Sequence, residues 1–262
     1  MLQLIVPARN EQSRLPATLT ELRAWALAAR DGGGTPIEVI VVDNASTDAT
    51  ASVAAAQSSP ALPVQVVRCD VLGKGGAVRT GIMASTAPIV GYMDADGATH
   101  LDALRDGLEL LASGADLVLG SRVVQGSRYH GRTNPVRIFG AHVYRRISTQ
   151  IAPGILDTQC GFKLMSGGLG RRVLRDTRAT GFSFDVEVIA RFQRAGATVV
   201  EFPVEWTDVP GSTFDIRRHG VPAFAELVGV ARTLRAHPAA TPVIPLVPAA
   251  PEVPLATEAI EL

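Results

Sequence analysis

Three short apolar runs, each closed by polar side chains, constrain this chain most. "LQLIVPA" (residues 2–8) leads into Arg9-Asn10-Glu11, "IEVIVVD" (37–43) ends at Asp43-Asn44, and "APIVGYM" (87–93) ends at Asp94-Ala95-Asp96. Near-continuous runs of Val, Ile and Leu read as strands buried on both faces, the habit of parallel sheets. Helical patterns separate them: "LPATLTELRAWALAAR", with Leu15, Leu19, Leu22 and Ala26 at helical spacing, then "NASTDATASVAAAQ" behind capping residues. "VQVVR" and "ADLVLGS" read as further strands, "KGGAVRTGIMAS" as a helix entry and "LDALRDGLELLA" as a helix. Alternating strands and helices predict an α/β fold with a doubly wound, Rossmann-like, mostly parallel sheet flanked by helices. Such sheets take ligands beyond the carboxyl ends of their strands, which is where the polar closures fall.

The second half is less regular. "ATVVEFPVEWTD" alternates like a strand with one exposed face, and residues 221–237 are expected to form a last helix. From Pro238 on, prolines recur every three or four residues, so 238–262 is expected to lie outside the core and to be disordered. Of the 262 residues, 25 are basic and 25 acidic, and a net charge of zero gives no bulk attraction to nucleic acid. Two cysteines, Cys69 and Cys160, make neither a metal spacing nor a disulfide framework, which points to a reducing compartment. No apolar run reaches membrane-spanning length and no signal peptide opens the chain, so a soluble or peripheral protein is expected. Only two basic residues are lysine, Lys74 and Lys163. Either arginine is simply the preferred cation, or a compact, flexible ammonium is required at those two places.

Asp94 and Asp96 stand two apart at a strand end, so they share a side in extended chain. Two carboxylates held so close repel, and a hard divalent cation with oxygen ligands removes the repulsion. The plain alternative is a solvated turn. "VLGKGGAVRTG" (71–81) has neither the P-loop nor the dinucleotide spacing, but its glycines permit close backbone approach and Lys74 adds charge. In "DTQCGFKLM", Asp157, Gln159 and Lys163 are polar groups among apolar ones, equally compatible with a surface turn. In "GFSFDVEVIARF", Asp185 and Glu187 are two apart on an expected helix and do not face each other, so one of them is free to be structural.

Taken in order, "IVPARNEQSRLPATL", "VIVVDNASTD", "GKGGAVRTG", "DADGATH", "LVLGSR", "DTQCGFKLM", "FSFDVEV" and "VEWTDVPGS" resemble the family 2 glycosyltransferases of the GT-A fold. Within them the chain looks most like the dolichyl-phosphate β-glucosyltransferases, over residues 3 to 218; "DADGAT", "DTQCGFK" and "VPGS" carry that finer likeness. The resemblance implies that Asp94 and Asp96 hold Mg²⁺ or Mn²⁺ and the sugar nucleotide. It implies a nucleoside pocket of Pro7, Ala8, Glu11, Asp43 and Lys74. Arg122 and Arg132 match arginines that hold acceptor or leaving phosphates, and Gln159 and Lys163 fall near sugar and diphosphate. Asp185 joins Arg122, Arg132, Gln159 and Lys163 among the expected catalytic residues. Arg9, Asn44 and Ala45 depart from the commoner residues of the family. A GT-A domain over 1–220 is expected.

The implied activity is an inverting transfer of glucose from UDP-glucose to a polyprenyl phosphate. Its rivals are transfer of mannose from GDP-mannose, and transfer to a soluble hydroxyl acceptor with Asp185 or Glu187 as base. A nucleotidyltransferase shares a similar sheet, but "VPARNEQ" lacks the glycine-rich loop of that class; a sugar-nucleotide-binding regulator is the non-enzymatic rival. Eukaryotic members carry an N-terminal membrane helix and this chain begins at its first strand, so a bacterial enzyme is expected, peripheral on the cytoplasmic face of the cell membrane. For docking, residues 135–151 offer Ile138, Phe139, His142, Val143, Ile147 and Ile151 at helical spacing, with Arg137, Arg145 and Arg146 for anionic lipid. The plain alternative is a helix packed on the sheet.

Overall fold

The computed structural model describes residues 1–131, 135–209 and 216–236. The expected tail, Arg132 and most of "VPGS" lie outside the described residues. The chain runs β1 (Leu2–Ala8), α1 (Leu15–Asp31), β2 (Ile37–Asp43), α2 (Thr50–Ala56), β3 (Val64–Arg68), α3 (Lys74–Ala84) and β4 (Ile89–Tyr92). It continues through α4 (Asp102–Ala112), β5 (Leu117–Ser121), β6 (Arg128–His130) and α5 (Pro135–Ile151). Then come β7 (Lys163–Ser166), α6 (Gly167–Asp176), α7 (Phe184–Arg194), β8 (Val199–Pro203), β9 (Glu205–Thr207) and α8 (Ile216–Ala236).

Seven strands form one sheet in the order β3-β2-β1-β4-β7-β5-β8, and all run parallel except β7. The apolar runs are continuous because both faces of the sheet are covered. Leu4 and Val6 of β1 and Val39 and Val41 of β2 meet α1, α2 and α4 in one core layer. The alternate residues, Ile5, Ile40 and Val42, meet α3, α6, α7 and α8 in the other.

Topology positions the site. From β1 the chain steps through β2 to β3, then α3 carries it back to β4 on the other side of β1. That reversal opens a crevice beyond the carboxyl ends of β1 and β4. β7 enters antiparallel, so its first residue lies at the same edge: Lys163 pairs with Tyr92, two residues before Asp94. The sequence reading missed β7, which is only four residues long and opens on a lysine.

Two other expectations change. "ATVVEFPVEWTD" is two strands: β8 extends the main sheet beside β5, and β9 pairs with β6 in a separate two-stranded sheet. Val204 links them, donating its N–H to Ser121 and accepting from Arg128. The N-cap residue of α2, Ala49, has no capping side chain, and Asp48 just before it accepts from Thr50 N–H at 3.0 Å; the Thr50 and Asp48 side chains also bind the β1–α1 loop, at Glu11 N–H (2.8 Å) and Gln12 N–H (3.2 Å). The helix predicted over 135–151 is α5, and it packs against α7 and α8. Tyr144, Ile147 and Ile151 turn toward the core, whereas His142 and Arg146 are exposed. The side chains of Ile138 and Phe139 lie outside the described ones.

Candidate active site

Asp185, the second residue of α7, is the buried centre of the crevice floor: its side chain is 4% exposed. Its Oδ1 accepts from the Tyr92 hydroxyl at 2.6 Å and lies 2.7 Å from Lys163 Nζ, while its Oδ2 lies 3.7 Å from Lys74 Nζ. Lys163 also donates to the Cys160 carbonyl at 2.7 Å, and its Nζ stands 5.3 Å from the centre of the Tyr92 ring. Lys74, the first residue of α3, reaches Asp94 Oδ1 at 2.8 Å. Both lysines of the chain therefore converge on one carboxylate.

The electrostatics follow from that convergence. Burial opposes ionisation of Asp185, but Lys163 and then Lys74 outweigh it and hold the carboxyl below its ordinary range. Burial likewise opposes the charge on Lys74, and Asp185 and Asp94 outweigh it, so the ammonium holds its proton above the ordinary lysine value. Burial and the neighbouring Asp185 push the Tyr92 hydroxyl well above the usual tyrosine range. Cys160 is a neutral thiol, pushed up to about 11 chiefly by burial.

Above this floor the expected residues divide. Lys74 is 28% exposed and opens to the crevice, whereas the Lys163 side chain is 0% exposed. Lys163, expected near the sugar and diphosphate, lies beneath the site because it is consumed by Asp185 and a backbone carbonyl. Glu187 faces away, as spacing on a helix requires. It accepts from Arg178 and Ala179 N–H and pairs with Arg191 at 2.7 Å. Asp96 follows β4 with Asp94; burial and then Asp94's charge raise its carboxyl, against a hydrogen bond from Ala98 N–H at 3.1 Å. Asp94 needs the space that glycine leaves: a Cβ on Gly161 would stand 1.8 Å from Asp94 Oδ2.

At the β1 and β2 ends, Ala8 and Asp43 are register partners, and Asp43 accepts from Ser46 N–H at 3.2 Å. Pro7 is half-buried beside them. Glu11 is bound by Arg14, 2.7 Å from Nε and 2.5 Å from Nη2, and burial raises its carboxyl despite that partner. Asn44 uses its amide both ways, donating to Cys69 and Val71 carbonyls and accepting from Gly73 N–H at 2.8 Å. Ala45 takes φ 54°, a left-handed conformation that glycine adopts without steric cost.

On the opposite side Arg122, just past β5, is clamped by Asp157, with Nε 2.8 Å from Oδ2 and Nη2 2.9 Å from Oδ1. Burial opposes the Asp157 charge, but Arg122 holds that carboxyl below its ordinary value. The Arg122 guanidinium lies 5.6 Å from the Trp206 ring, and Trp206 stacks on Tyr129 at 5.2 Å. Gln159 is half-buried, its amide 3.5 Å from the Tyr144 hydroxyl. Sequence reasoning missed Tyr92, Gly161 and Arg14. Tyr92 was hidden inside an apolar run, but a hydroxyl two residues before a paired-aspartate strand end was a usable signal.

Residues 3–174 match the family model described as glycosyl transferase family 2. The chain belongs to that family. It is 30% identical over 228 residues to a dolichyl-phosphate beta-glucosyltransferase of Dictyostelium discoideum, spanning 82% of this chain and 68% of that protein. Its counterpart in Drosophila melanogaster is 34% identical over 224 residues, 80% of this chain and 68% of that one. The Homo sapiens enzyme of the same name is 32% identical over 228 residues, with the same two shares, 80% and 68%.

Among solved structures, glucosyl-3-phosphoglycerate synthase from Mycobacterium tuberculosis, in complex with Mn²⁺, UDP and phosphoglyceric acid, superposes with a TM-score of 0.67. It is 17% identical, over 92% of this chain and 80% of that one. Mannosyl-3-phosphoglycerate synthase from Rubrobacter xylanophilus gives 0.63 at 20% identity, over 90% and 74%. These likenesses show the fold, the GT-A architecture; membership of the glycosyl transferase family makes the protein an enzyme of the transferase class.

The buried pairing makes a stability prediction. Lys163→Met leaves Asp185 short of its main partner and should cost about 3–5 kcal/mol at pH 7, the loss expected for breaking a buried pair. Asp185 has a lowered folded-state pKa, so its stabilising share is complete above the ordinary aspartate value and is lost as pH falls through the folded value. In the variant that pKa rises and Asp185 takes up a proton earlier. The deficit should therefore narrow from pH 7 to pH 5 in urea unfolding. A deficit that is small, or that widens on acidification, contradicts the pairing.

Proposed function

We propose that this chain transfers glucose from UDP-glucose to a polyprenyl phosphate, with inversion at the anomeric carbon. The observation that carries this reading is the state of Asp185 and Glu187, the pair that a hydroxyl acceptor would need as base. Asp185 is buried and saturated by Lys163, Tyr92 and Lys74, and Glu187 is turned away and tied to Arg191. A phosphate monoester is already an anion at neutral pH and needs no proton removed, so a site without a free helix carboxylate suits it. The names of the relatives in Dictyostelium, Drosophila and human point the same way.

Catalysis then rests on positioning and charge. Pro7, Ala8, Glu11 and Asp43 line the nucleoside side. Lys74, held by Asp94 and Asp185, meets the donor diphosphate. Arg122, fixed in plane by Asp157 and Trp206, aims an acceptor phosphate oxygen at the anomeric carbon; Gln159 is assigned to the same side, and Arg132 keeps the phosphate-holding role that the sequence resemblance implies. The new bond forms on the face opposite the departing UDP, and Lys74 meets the negative charge that leaves with it. Lys163 acts from below, through Asp185.

The donor set at Asp94 and Asp96 fits a hard divalent cation: two carboxylates, one raising the other, and a glycine clearing Asp94 Oδ2. No set of three His, Cys, Asp or Glu suited to a metal occurs among the described residues. Mg²⁺ or Mn²⁺ bound there supplies neutralisation of the diphosphate charge.

The test pairs purified protein with UDP-glucose, GDP-mannose, and a short polyprenyl phosphate or soluble hydroxyl acceptors, with added Mg²⁺ or Mn²⁺. Glucosylated lipid from UDP-glucose is expected, abolished by chelator, and Asp96→Ala should cost at least about a hundredfold in turnover. Product on a hydroxyl acceptor, or undiminished turnover in excess chelator, overturns the corresponding part.

The acceptor's tail lies in a bilayer, and none of the described helices is long and apolar enough to cross one. We therefore assign peripheral docking to the α5 side. α5 and α8 together carry seven arginines and one glutamate, in a chain of zero net charge. Because Ile147 and Ile151 pack inward, attraction to anionic lipid must come from charge, at about 1 kcal/mol per arginine. Arg145→Glu with Arg146→Glu should weaken binding to phosphatidylserine-containing liposomes while UDP-glucose binding persists. Unchanged liposome binding in the double variant removes α5 as the docking surface.

A further inference from the structure

The loop "RATGFS" (178–183) sets the geometry of the crevice floor without forming part of it. Its N–H groups are held by carboxylates from two helices. Glu187 of α7 accepts from Arg178 and Ala179 at 3.0 and 2.7 Å. Glu226 of α8 accepts from Thr180 (3.0 Å), Gly181 (2.8 Å) and Ser183 (2.8 Å). The Ser183 hydroxyl donates to the Ala223 carbonyl at 2.9 Å and lies 3.1 Å from the Tyr144 hydroxyl of α5.

The other side of this loop carries α3. The Thr180 carbonyl accepts from Gly75 N–H at 2.8 Å, and a Cβ on Gly73, at φ 113°, would stand 2.2 Å from that oxygen. Asn44 grips Gly73 N–H from the other direction at 2.8 Å. Lys74 sits between these two held residues. The same loop leads into α7, with Ser183 at the N-cap position and Asp185 two residues on. One loop therefore sets both members of the Lys74–Asp185 pair.

Glu226 is the only acidic residue on α8, which carries four arginines, and it is turned inward to this loop. An ionised carboxylate suits three converging N–H groups because both its oxygens only accept.

We propose that Glu226 is a positioning residue: by gathering the Thr180, Gly181 and Ser183 amides it seats Lys74 against Asp94 and Asp185, and so couples α8 to donor binding. The clamp stands on geometry alone; its consequence for the donor rests on the reading that Lys74 meets the diphosphate.

The first arm needs no ligand. In Glu226→Gln an amide NH₂ replaces one accepting oxygen and opposes the loop's N–H groups. Hydrogen exchange in residues 73–77 should quicken at least about tenfold, the scale of a lost charge-assisted bond, while β1 and β2 keep their protection. Glu226→Asp, which restores two accepting oxygens, should recover part of the protection and stands in should the glutamine variant not fold. The second arm is UDP-glucose affinity. Glu226→Gln should weaken it about tenfold alone and in an Asp43→Ala background, but add nothing in a Lys74→Met background, since coupling appears only between residues that act together.

Unchanged exchange at 73–77 in folded variants overturns the proposal. So does an equal loss in both backgrounds, which marks a general structural role. Faster exchange with full UDP-glucose affinity in Lys74→Met supports the clamp and overturns the donor reading instead.

Discussion

One buried carboxylate organises this molecule. A lone ionised group in a protein interior is costly, and it persists only where charge and hydrogen bonds surround it. Asp185 meets that demand from four elements: it sits in the first turn of α7, where the helix dipole favours an anion, and it gathers Tyr92 from the end of β4, Lys163 from the start of β7 and Lys74 from the start of α3. All of these meet at the sheet edge opened by the β1–β4 reversal. The site is thus assembled by a charge requirement as much as by packing.

The same requirement decides what each group is left to do. Lys163 is spent below the floor, whereas Lys74 is shared between Asp185 and Asp94 and reaches the crevice. Two lysines balance two aspartates, with Asp96 as the acid that burial and Asp94's charge raise. A third buried acid–base pair, Arg122 with Asp157, fixes a guanidinium on the opposite wall. Among the described residues, Lys74 and Arg122 thereby present positive charge to the crevice, each held by internal carboxylates before a ligand arrives. Preorganised charge of this kind stabilises developing negative charge without reorganisation during the reaction.

Much of this was legible in the sequence. The apolar runs gave the parallel strands because both faces had to be buried, and their polar endings fall at the carboxyl edge of the sheet, beside the crevice. Asp94, Asp96 and Lys74 were found there. The rarity of lysine pointed to Lys74 and Lys163, although their common partner was not visible: Asp185 lies more than a hundred residues from Lys74, and only β7 running antiparallel brings Lys163 to it. β7 itself was missed because four residues opening on a lysine carry no strand pattern. Asp185 and Glu187 were correctly separated by helical spacing, but spacing alone did not say which one turned inward to the site. Glu226 gave no signal, since a glutamate in an arginine-rich helix ordinarily reads as a surface charge.

The central claim is that Asp185 holds the two lysines in place and takes no proton from the acceptor. Asp185→Asn tests it most directly, because the amide keeps the shape and removes the charge. The measurement is UDP-glucose affinity by calorimetry beside kcat with polyprenyl phosphate. An anchor predicts that donor affinity and kcat fall together, because Lys74 is no longer held. A general base predicts the contrary, a collapse of kcat with UDP-glucose affinity intact, and that result would contradict the account.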